Sequence, residues 1–198
     1  MKVVGLFGAG DFAHSLMILY VVVALSPQFG SARASVMATS FYALHNVVYA
    51  AISYPAGSLA DRMSKYALLA AGYACGAVTA LLLMFQIHDP VLLACAFVLG
   101  GIYAGIEDTL EDAVAAELLP RDLRGTGFGA LALVNGIGDS ISSLAVGWLW
   151  TAFSPTAGFG FAFVFMAAGS MAVLATRRHS DTNQPISAPQ PRSEAGDG

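Results

Sequence analysis

The sequence predicts an all-α polytopic membrane protein with six transmembrane helices. Of its 198 residues, 57% are hydrophobic and only 11% are charged, whereas a soluble domain carries about 25% charged residues. Apolar stretches of the length that crosses a bilayer, about 20 residues each, alternate with short turn signals. A transmembrane β-barrel is disfavoured because no segment of about ten residues alternates apolar with polar side chains.

The turn signals divide the chain into six predicted spans and a tail. The breakers are Ser26-Pro27, Ser154-Pro155 and residues 61–65, 88–90 and 120–124. The predicted spans cover residues 3–25, 34–60, 66–86, 91–119, 125–153 and 157–176. Residues 177–198 are rich in Ser, Pro, Gln, Asp and Gly, which predicts a disordered tail. The first span is interpreted as a retained helix rather than a signal peptide, because Asp11 and His14 interrupt its apolar run.

Composition also excludes several classes of protein. The net charge of −4 argues against a nucleic-acid partner, which would need a basic patch. Two cysteines, each inside an apolar run, cannot build a disulfide framework. No G-x-x-x-x-G-K-[ST] or H-E-x-x-H motif is present, so we expect neither a nucleotide-driven pump nor an enzyme, and no cofactor.

Orientation follows from the basic residues near the span ends. Seven of the eight fall on one side under the six-span reading, and only Arg33 falls on the other. The majority side holds Lys2, Arg62, Lys65, Arg121, Arg124, Arg177 and Arg178. This positive-inside bias predicts that both termini are cytoplasmic.

Ionisable side chains inside the spans are the most informative feature, because a charge at the centre of a bilayer costs several kcal/mol. They occur in spans 1, 2, 4 and 5, together with two asparagines, Asn46 and Asn135. The predicted substrate or proton pathway residues are Asp11, His14, His45, Glu107, Asp108, Glu111, Asn135 and Asp139. We therefore expect helices 1, 2, 4 and 5 to line a wet region, and helices 3 and 6 to face lipid and pack only through small residues.

The carboxylates of span 4 form two like-charged pairs four residues apart, Glu107/Glu111 and Asp108/Asp112. No Lys or Arg lies inside a span to neutralise them, so they must be protonated, hydrated or paired with a cation from outside the chain. The alternative is that each polar residue is only a helix-packing contact. For His14 and His45, a hydrogen-bonded polar contact is favoured over a metal pair, and no metal site is predicted.

Three small-residue motifs, which begin at Gly72, Gly101 and Gly125, have the G-x-x-x-G spacing of close helix contacts. We interpret all three as packing motifs rather than as ligand sites.

The turn after span 2 reads Gly57-Ser58-Leu59-Ala60-Asp61-Arg62-Met63-Ser64-Lys65. Gly57 admits a neighbouring helix, Asp61 complements or caps the positive amino end of span 3, and Arg62 and Lys65 suit the anionic cytoplasmic face. This stretch resembles the loop signature of the major facilitator superfamily, which joins the second and third helices of a six-helix half.

A second stretch strengthens the resemblance. Glu117-Leu118-Leu119-Pro120 is followed by Arg124-Gly125-Thr126-Gly127-Phe128-Gly129, similar to the turn between the fourth and fifth helices of bacterial members. Later residues resemble the carboxyl-terminal half of such transporters. The family has twelve spans in two halves, so the resemblance implies a chain whose first half is missing, or a half-size protein that pairs. The first alternative is favoured.

The resemblance implies a secondary transporter of small solutes in a bacterial inner membrane. It would work by alternating access, driven by an ion or proton gradient, with this bundle rocking against a second six-helix bundle. The other classes left open are a membrane scaffold or sensor that transports nothing and an intramembrane enzyme.

Overall fold

The computed structural model describes residues 14–120 and 122–182, and every regular element within them is an α-helix. The six helices are α1 (His14–Phe29), α2 (Ser31–Ala60), α3 (Lys65–Met84), α4 (Pro90–Leu118), α5 (Arg124–Ala152) and α6 (Pro155–Thr182). The predicted all-α, six-helix fold is thereby confirmed. Asp11, the start of the first span and residues 183–198 lie outside the described residues.

The turn between α1 and α2 corrects one predicted boundary. Ser26-Pro27 does not end the first helix, which continues to Phe29, with Pro27 in its last turn. The backbone N–H of Gly30 still bonds the Ser26 carbonyl at 2.9 Å. The chain reverses at Gly30, whose φ of 79° is one that residues with a Cβ rarely adopt. α2 therefore begins at Ser31, three residues before its predicted start.

The turn between α3 and α4 follows the sequence signal. The Asp89 side chain accepts hydrogen bonds from the backbone N–H groups of Val91, at 2.9 Å, and Leu92, at 3.0 Å. Pro90 occupies the first helical position, where its missing N–H leaves no helical bond unmade. This N-cap fixes where α4 begins.

The loop from α2 to α3 differs from the expectation for Asp61. Asp61 is the C-cap of α2, with its backbone N–H bonded to the Gly57 carbonyl at 3.3 Å. The N-cap of α3 is Ser64, and it makes no side-chain capping bond. Asp61 thus does not cap α3. At Gly57, an added Cβ would lie 3.5 Å from the Thr109 side chain on α4, an ordinary contact rather than a close approach.

Helix α3 is packed on several sides, in contrast to the expectation of a peripheral, small-residue helix. It lies against α4 and α6, and its Tyr73 and Leu83 side chains are fully buried. Phe159 of α6 is buried as well. Gly72 and Gly76 let α4 and α6 approach, since an added Cβ at Gly72 would lie 2.9 Å from Ile106 and one at Gly76 would lie 3.0 Å from Met166. Large side chains then fill the remaining space, so the apolar composition of α3 reflects protein contacts as well as lipid.

Helix α4 packs just as closely against α2. An added Cβ at Gly101 would lie 2.6 Å from the His45 carbonyl oxygen, and one at Gly105 would lie 2.9 Å from that of Tyr49. Two of the three predicted packing motifs, those at Gly72 and Gly101, are therefore helix contacts.

Helix α5 is the least embedded of the six. Its buried residues are Ser142 and Val146. The third motif makes no close contact within the part of the chain that the structure describes, because an added Cβ at Gly125 or Gly129 would meet nothing within 4 Å. The reason is positional: these glycines lie on the part of α5 that turns away from the rest of the bundle.

Four helices, α3 to α6, are long and apolar enough to cross a bilayer. Helix α1 is described over only 16 residues, and α2 is 30 residues long but carries many Ser, Thr, Tyr, His and Asn side chains. Helix α6 continues to Thr182, so residues 177–182 are helical rather than part of a disordered tail.

Candidate functional site

Polar side chains from α2, α4 and α5 meet on one side of the bundle. The Asn135 amide on α5 donates a hydrogen bond to the Glu111 carboxylate on α4. Asp108, one turn earlier on α4, interacts with the Tyr49 hydroxyl of α2. We call the set Asp108, Glu111, Asp112 and Asp139, together with Tyr49 and Asn135, the acidic face.

The carboxylates of the acidic face are mutually close. Glu111 interacts electrostatically with Asp108, Asp112 and Asp139, and Asp139 interacts with Asp108. These like charges come from two helices, although the sequence revealed only the pairs within span 4. Their repulsion in a low-dielectric setting favours protonation, hydration or a bound cation.

The acidic face opens outward from the bundle. Asp108 and Asp112 are exposed, whereas Glu111, Asn135 and Asp139 are half-buried. The same side of α2 carries Asn46, which is exposed, and its amide bonds only the Tyr42 carbonyl of its own helix among the described contacts, at 2.8 Å. The polar side chains of the acidic face and of Asn46 thus lie where the six helices supply few hydrogen-bonding partners.

Glu107 is separated from the acidic face by its packing. It accepts a hydrogen bond at 3.2 Å from the Tyr73 hydroxyl of α3. Tyr73 is fully buried and its ring packs 5.8 Å from that of Tyr103. The predicted carboxylates of span 4 therefore lie in two places: Glu107 lies toward α3, and the others belong to the acidic face.

His14 and His45 form a third polar position, between α1 and α2. Their ring centroids are 4.3 Å apart at an interplanar angle of 63°. His45 is only 3% exposed, and its Nδ1 lies 3.2 Å from the Phe97 carbonyl oxygen of α4. The predicted hydrogen-bonded contact is thus observed for His45. Among the residues that the structure describes, no three His, Cys, Asp or Glu side chains are placed to hold a metal ion.

The turn between α4 and α5 is held by Arg124, whose Nη2 donates to the Ala116 carbonyl at 2.9 Å. Gly125 next to it lies in open space. Arg124 therefore has a structural contact of its own, in addition to the orientation role expected for a cytoplasmic basic residue.

Sequence reasoning missed the tyrosines that accompany each polar group. Tyr49 faces Asp108, Tyr73 faces Glu107, and Tyr42 stacks on His45 with ring centroids 5.9 Å apart. For α2 a signal was available, because Tyr42, His45 and Tyr49 recur at spacings of three and four and so share one helix face. For Tyr73 no such signal exists, since its neighbours along α3 are small residues such as Gly72 and Ala74.

A bundle of long apolar helices that buries polar groups and opens an acidic face is a polytopic α-helical membrane protein. The chain belongs to the Major Facilitator Superfamily, whose sequence pattern matches residues 3–196. The resemblance read from the two turns is thereby confirmed, and the six helices correspond to one half of that fold.

A curated relative extends the comparison. The chain is 29% identical over 117 residues to a protein of Methanocaldococcus jannaschii described as "Uncharacterized MFS-type transporter MJ1317". That match covers 59% of this chain but only 29% of the relative, so the chain aligns with less than a third of it. No solved structure matches the chain.

Proposed function

We propose that the chain is the carboxyl-terminal half of a secondary active transporter for small solutes. Membership of the Major Facilitator Superfamily and the transporter named among its relatives support transport rather than catalysis. The mechanism is alternating access: this bundle rocks against a second six-helix bundle around a site near the middle of the membrane. The membrane is the bacterial inner membrane, with both termini cytoplasmic.

The observation that carries the proposal is the open acidic face. Carboxylates from α4 and α5 cluster there, no Lys or Arg occurs within either span, and the side chains are at most half-buried. Such a group is costly against lipid but is suited to a water-filled path that carries protons or a cationic substrate. The proposal therefore places ion coupling, or cation binding, at Asp108, Glu111 and Asp139.

The second bundle has a place to bind on α5. The outward side of this helix combines glycines in open space, at Gly129 and Gly136, with exposed Leu133, Ile137 and Leu144. Small residues flanked by bulky apolar ones let two helix backbones approach closely in a membrane. The partner is the amino-terminal half of a longer chain, or a second copy in a half-size transporter.

The proposal is tested by flux measurements on the complete transporter in proteoliposomes with an imposed proton gradient. Asp139→Asn should reduce gradient-driven flux at least tenfold, because it removes a charge from the centre of the acidic face. The matched control is Asp122→Asn, which removes an exposed carboxylate from the loop between α4 and α5. A complete transporter that moves no solute with or without the gradient would favour the scaffold, and full activity of Asp139→Asn would remove the acidic face from the path.

A further inference from the structure

The His14–His45 pair lies in the interior, apart from the acidic face. The rings come from different helices, α1 and α2, and they meet edge to face with 4.3 Å between centroids. His14 is half-buried, and His45 is almost fully buried. Among the residues that the structure describes, no disulfide or ion pair involves these side chains, so the contact is explained by the chemistry of the two rings.

The Phe97 carbonyl settles which nitrogen of His45 carries a hydrogen. A carbonyl oxygen can only accept a hydrogen bond, and it lies 3.2 Å from Nδ1. Nδ1 must therefore be the N–H, and in the neutral ring the lone pair is at Nε2. His45 is thus oriented as a base whose acceptor nitrogen is the one not held by α4.

The other groups around the pair determine what it binds. Tyr42 of α2 stacks on His45 at 5.9 Å and 17°, and lies 6.2 Å from His14, so an aromatic face is available to a cation. From α3, Thr79 donates its hydroxyl to backbone carbonyls, those of Cys75 at 3.0 Å and Ala96 at 3.3 Å.

A small pocket of about one water molecule's size adjoins His14. Tyr103 of α4 and Met166 of α6 line it, and neither supplies a carboxylate or a basic group. Glu107, one turn beyond Tyr103, is bonded to Tyr73 instead. Asp11, three residues before His14, lies outside the described residues.

We propose that His14 and His45 form a one-proton site, in which a single imidazolium is stabilised by the neutral ring of its partner and by Tyr42. Two imidazolium rings at this separation would repel strongly, and no described acidic neighbour offsets a second charge. Burial opposes any charge here, but a single imidazolium has two neighbours that stabilise it, the lone pair of the neutral ring and the π face of Tyr42. The pair therefore titrates as a unit.

This inference deepens the proposed function, on which any role in transport rests. A single imidazolium strengthens the contact between α1 and α2, the two helices that carry the rings, and its loss leaves only the aromatic contact between them. Protonation of the His14–His45 pair would thus change how tightly α1 packs against α2, and both helices belong to the same half of the transporter.

The test measures proton binding rather than solute flux, so its result does not depend on whether the chain is part of a transporter. The full chain is labelled with ¹⁵N-histidine, placed in lipid bilayers and titrated from about pH 8 down to the lowest pH at which it stays folded. Four histidines give a simple spectrum, and exposed His88 serves as the internal solvent reference. We expect the pair to bind one proton in total. The signals of both rings should shift in the same single transition, while Nδ1 of His45 remains an N–H throughout.

A matched variant checks the coupling. His45→Asn retains a donor for the Phe97 carbonyl but removes Nε2, and the proton affinity of His14 should then fall by on the order of tenfold. His88→Asn should leave the pair unaltered. Two independent imidazolium signals in the wild-type chain, or two rings that stay neutral throughout, would overturn the proposal. So would an unchanged His14 transition in His45→Asn.

Discussion

Asn135 on α5 donates a side-chain hydrogen bond to Glu111 on α4, across 24 residues of sequence. Helices α4 and α5 otherwise touch little, and α5 buries only Ser142 and Val146 among its described side chains. This polar contact, together with the packing of α5 against α6, therefore positions α5 beside the acidic face. It also explains how a helix with such limited apolar burial can keep Asp139 near Asp108.

Removing this link should loosen α5. We expect Asn135→Leu to lower the free energy of unfolding by about 0.5–2 kcal/mol, the range measured for interhelical hydrogen bonds in membranes. The measurement is thermal or denaturant-induced unfolding in mild detergent. Asn46→Leu is the matched control, because the amide of Asn46 bonds within its own helix. Equal losses in both variants would mean that the Glu111–Asn135 bond does not hold α5.

Glycine-to-alanine substitutions should have different effects on stability in α4 and in α5. Gly105→Ala should destabilise the protein, because the new methyl would lie 2.9 Å from the Tyr49 carbonyl oxygen and α2 would have to move away. In the six-helix chain without a second bundle, Gly129→Ala meets open space and should be neutral or slightly stabilising, since Ala favours helix by about 1 kcal/mol over Gly. Unfolding midpoints of the two variants check this. A Gly105→Ala protein as stable as the wild type would contradict the close packing of α2 and α4.

Sequence patterns predicted the helices well because most of their ends are fixed locally. Asp89-Pro90 is a cap and start signal whose bonds involve only the next two residues. The failure at Ser26-Pro27 has an equally local cause: a proline in the last helical turn is tolerated, and the reversal needed the positive φ of Gly30. The pattern located the turn within a few residues but assigned it to the wrong residue.

The arrangement of the polar groups was less predictable, because it depends on which helices are neighbours. Glu107 and Glu111 are one turn apart and chemically identical. The first bonds Tyr73 on α3 and the second bonds Asn135 on α5, since α4 lies between those two helices. Spacing within α4 cannot reveal such a division, because helix neighbours are set by tertiary packing. The expectation that α3 packs only through small residues failed for the same reason.

Glu107 gives a prediction about coupling. In the complete transporter, Glu107→Gln keeps an acceptor for the Tyr73 hydroxyl but removes the group that can gain or lose a proton. We expect this variant to lose the pH dependence of transport or to stop gradient-driven uptake. Initial rates across a pH series in proteoliposomes measure the effect. If the variant retains wild-type pH-dependent kinetics, Glu107 is a packing residue and the coupling group lies elsewhere.

The topology is testable by labelling single cysteines in intact cells, after Cys75 and Cys95 have been replaced by serine. The positive-inside bias places Ser31 and Thr156 outside, and both are exposed in the structure. Cysteines at these two positions should react with an impermeant thiol reagent. Cysteines at Ser64 and Ser180 should react only after the membrane is made permeable, and labelling of Ser64 from outside would reverse the orientation.

The last prediction is that residues 1–198 do not transport as a monomer. The acidic face leaves Asp108 and Asp112 exposed. Helix α5 exposes Leu133 and Leu144 together with glycines at which an added Cβ would meet none of the described residues within 4 Å. Carboxylates left against lipid would each cost several kcal/mol, so this side needs water enclosed by a second bundle.

The chain should be expressed alone, purified in mild detergent, and analysed for mass and for solute flux. A defined dimer with flux would identify a half-size transporter. An aggregating product that becomes stable when co-expressed with an amino-terminal half would identify the second half of a longer chain. A stable six-helix monomer with specific flux would refute the two-bundle mechanism, because the path would then be complete within these six helices.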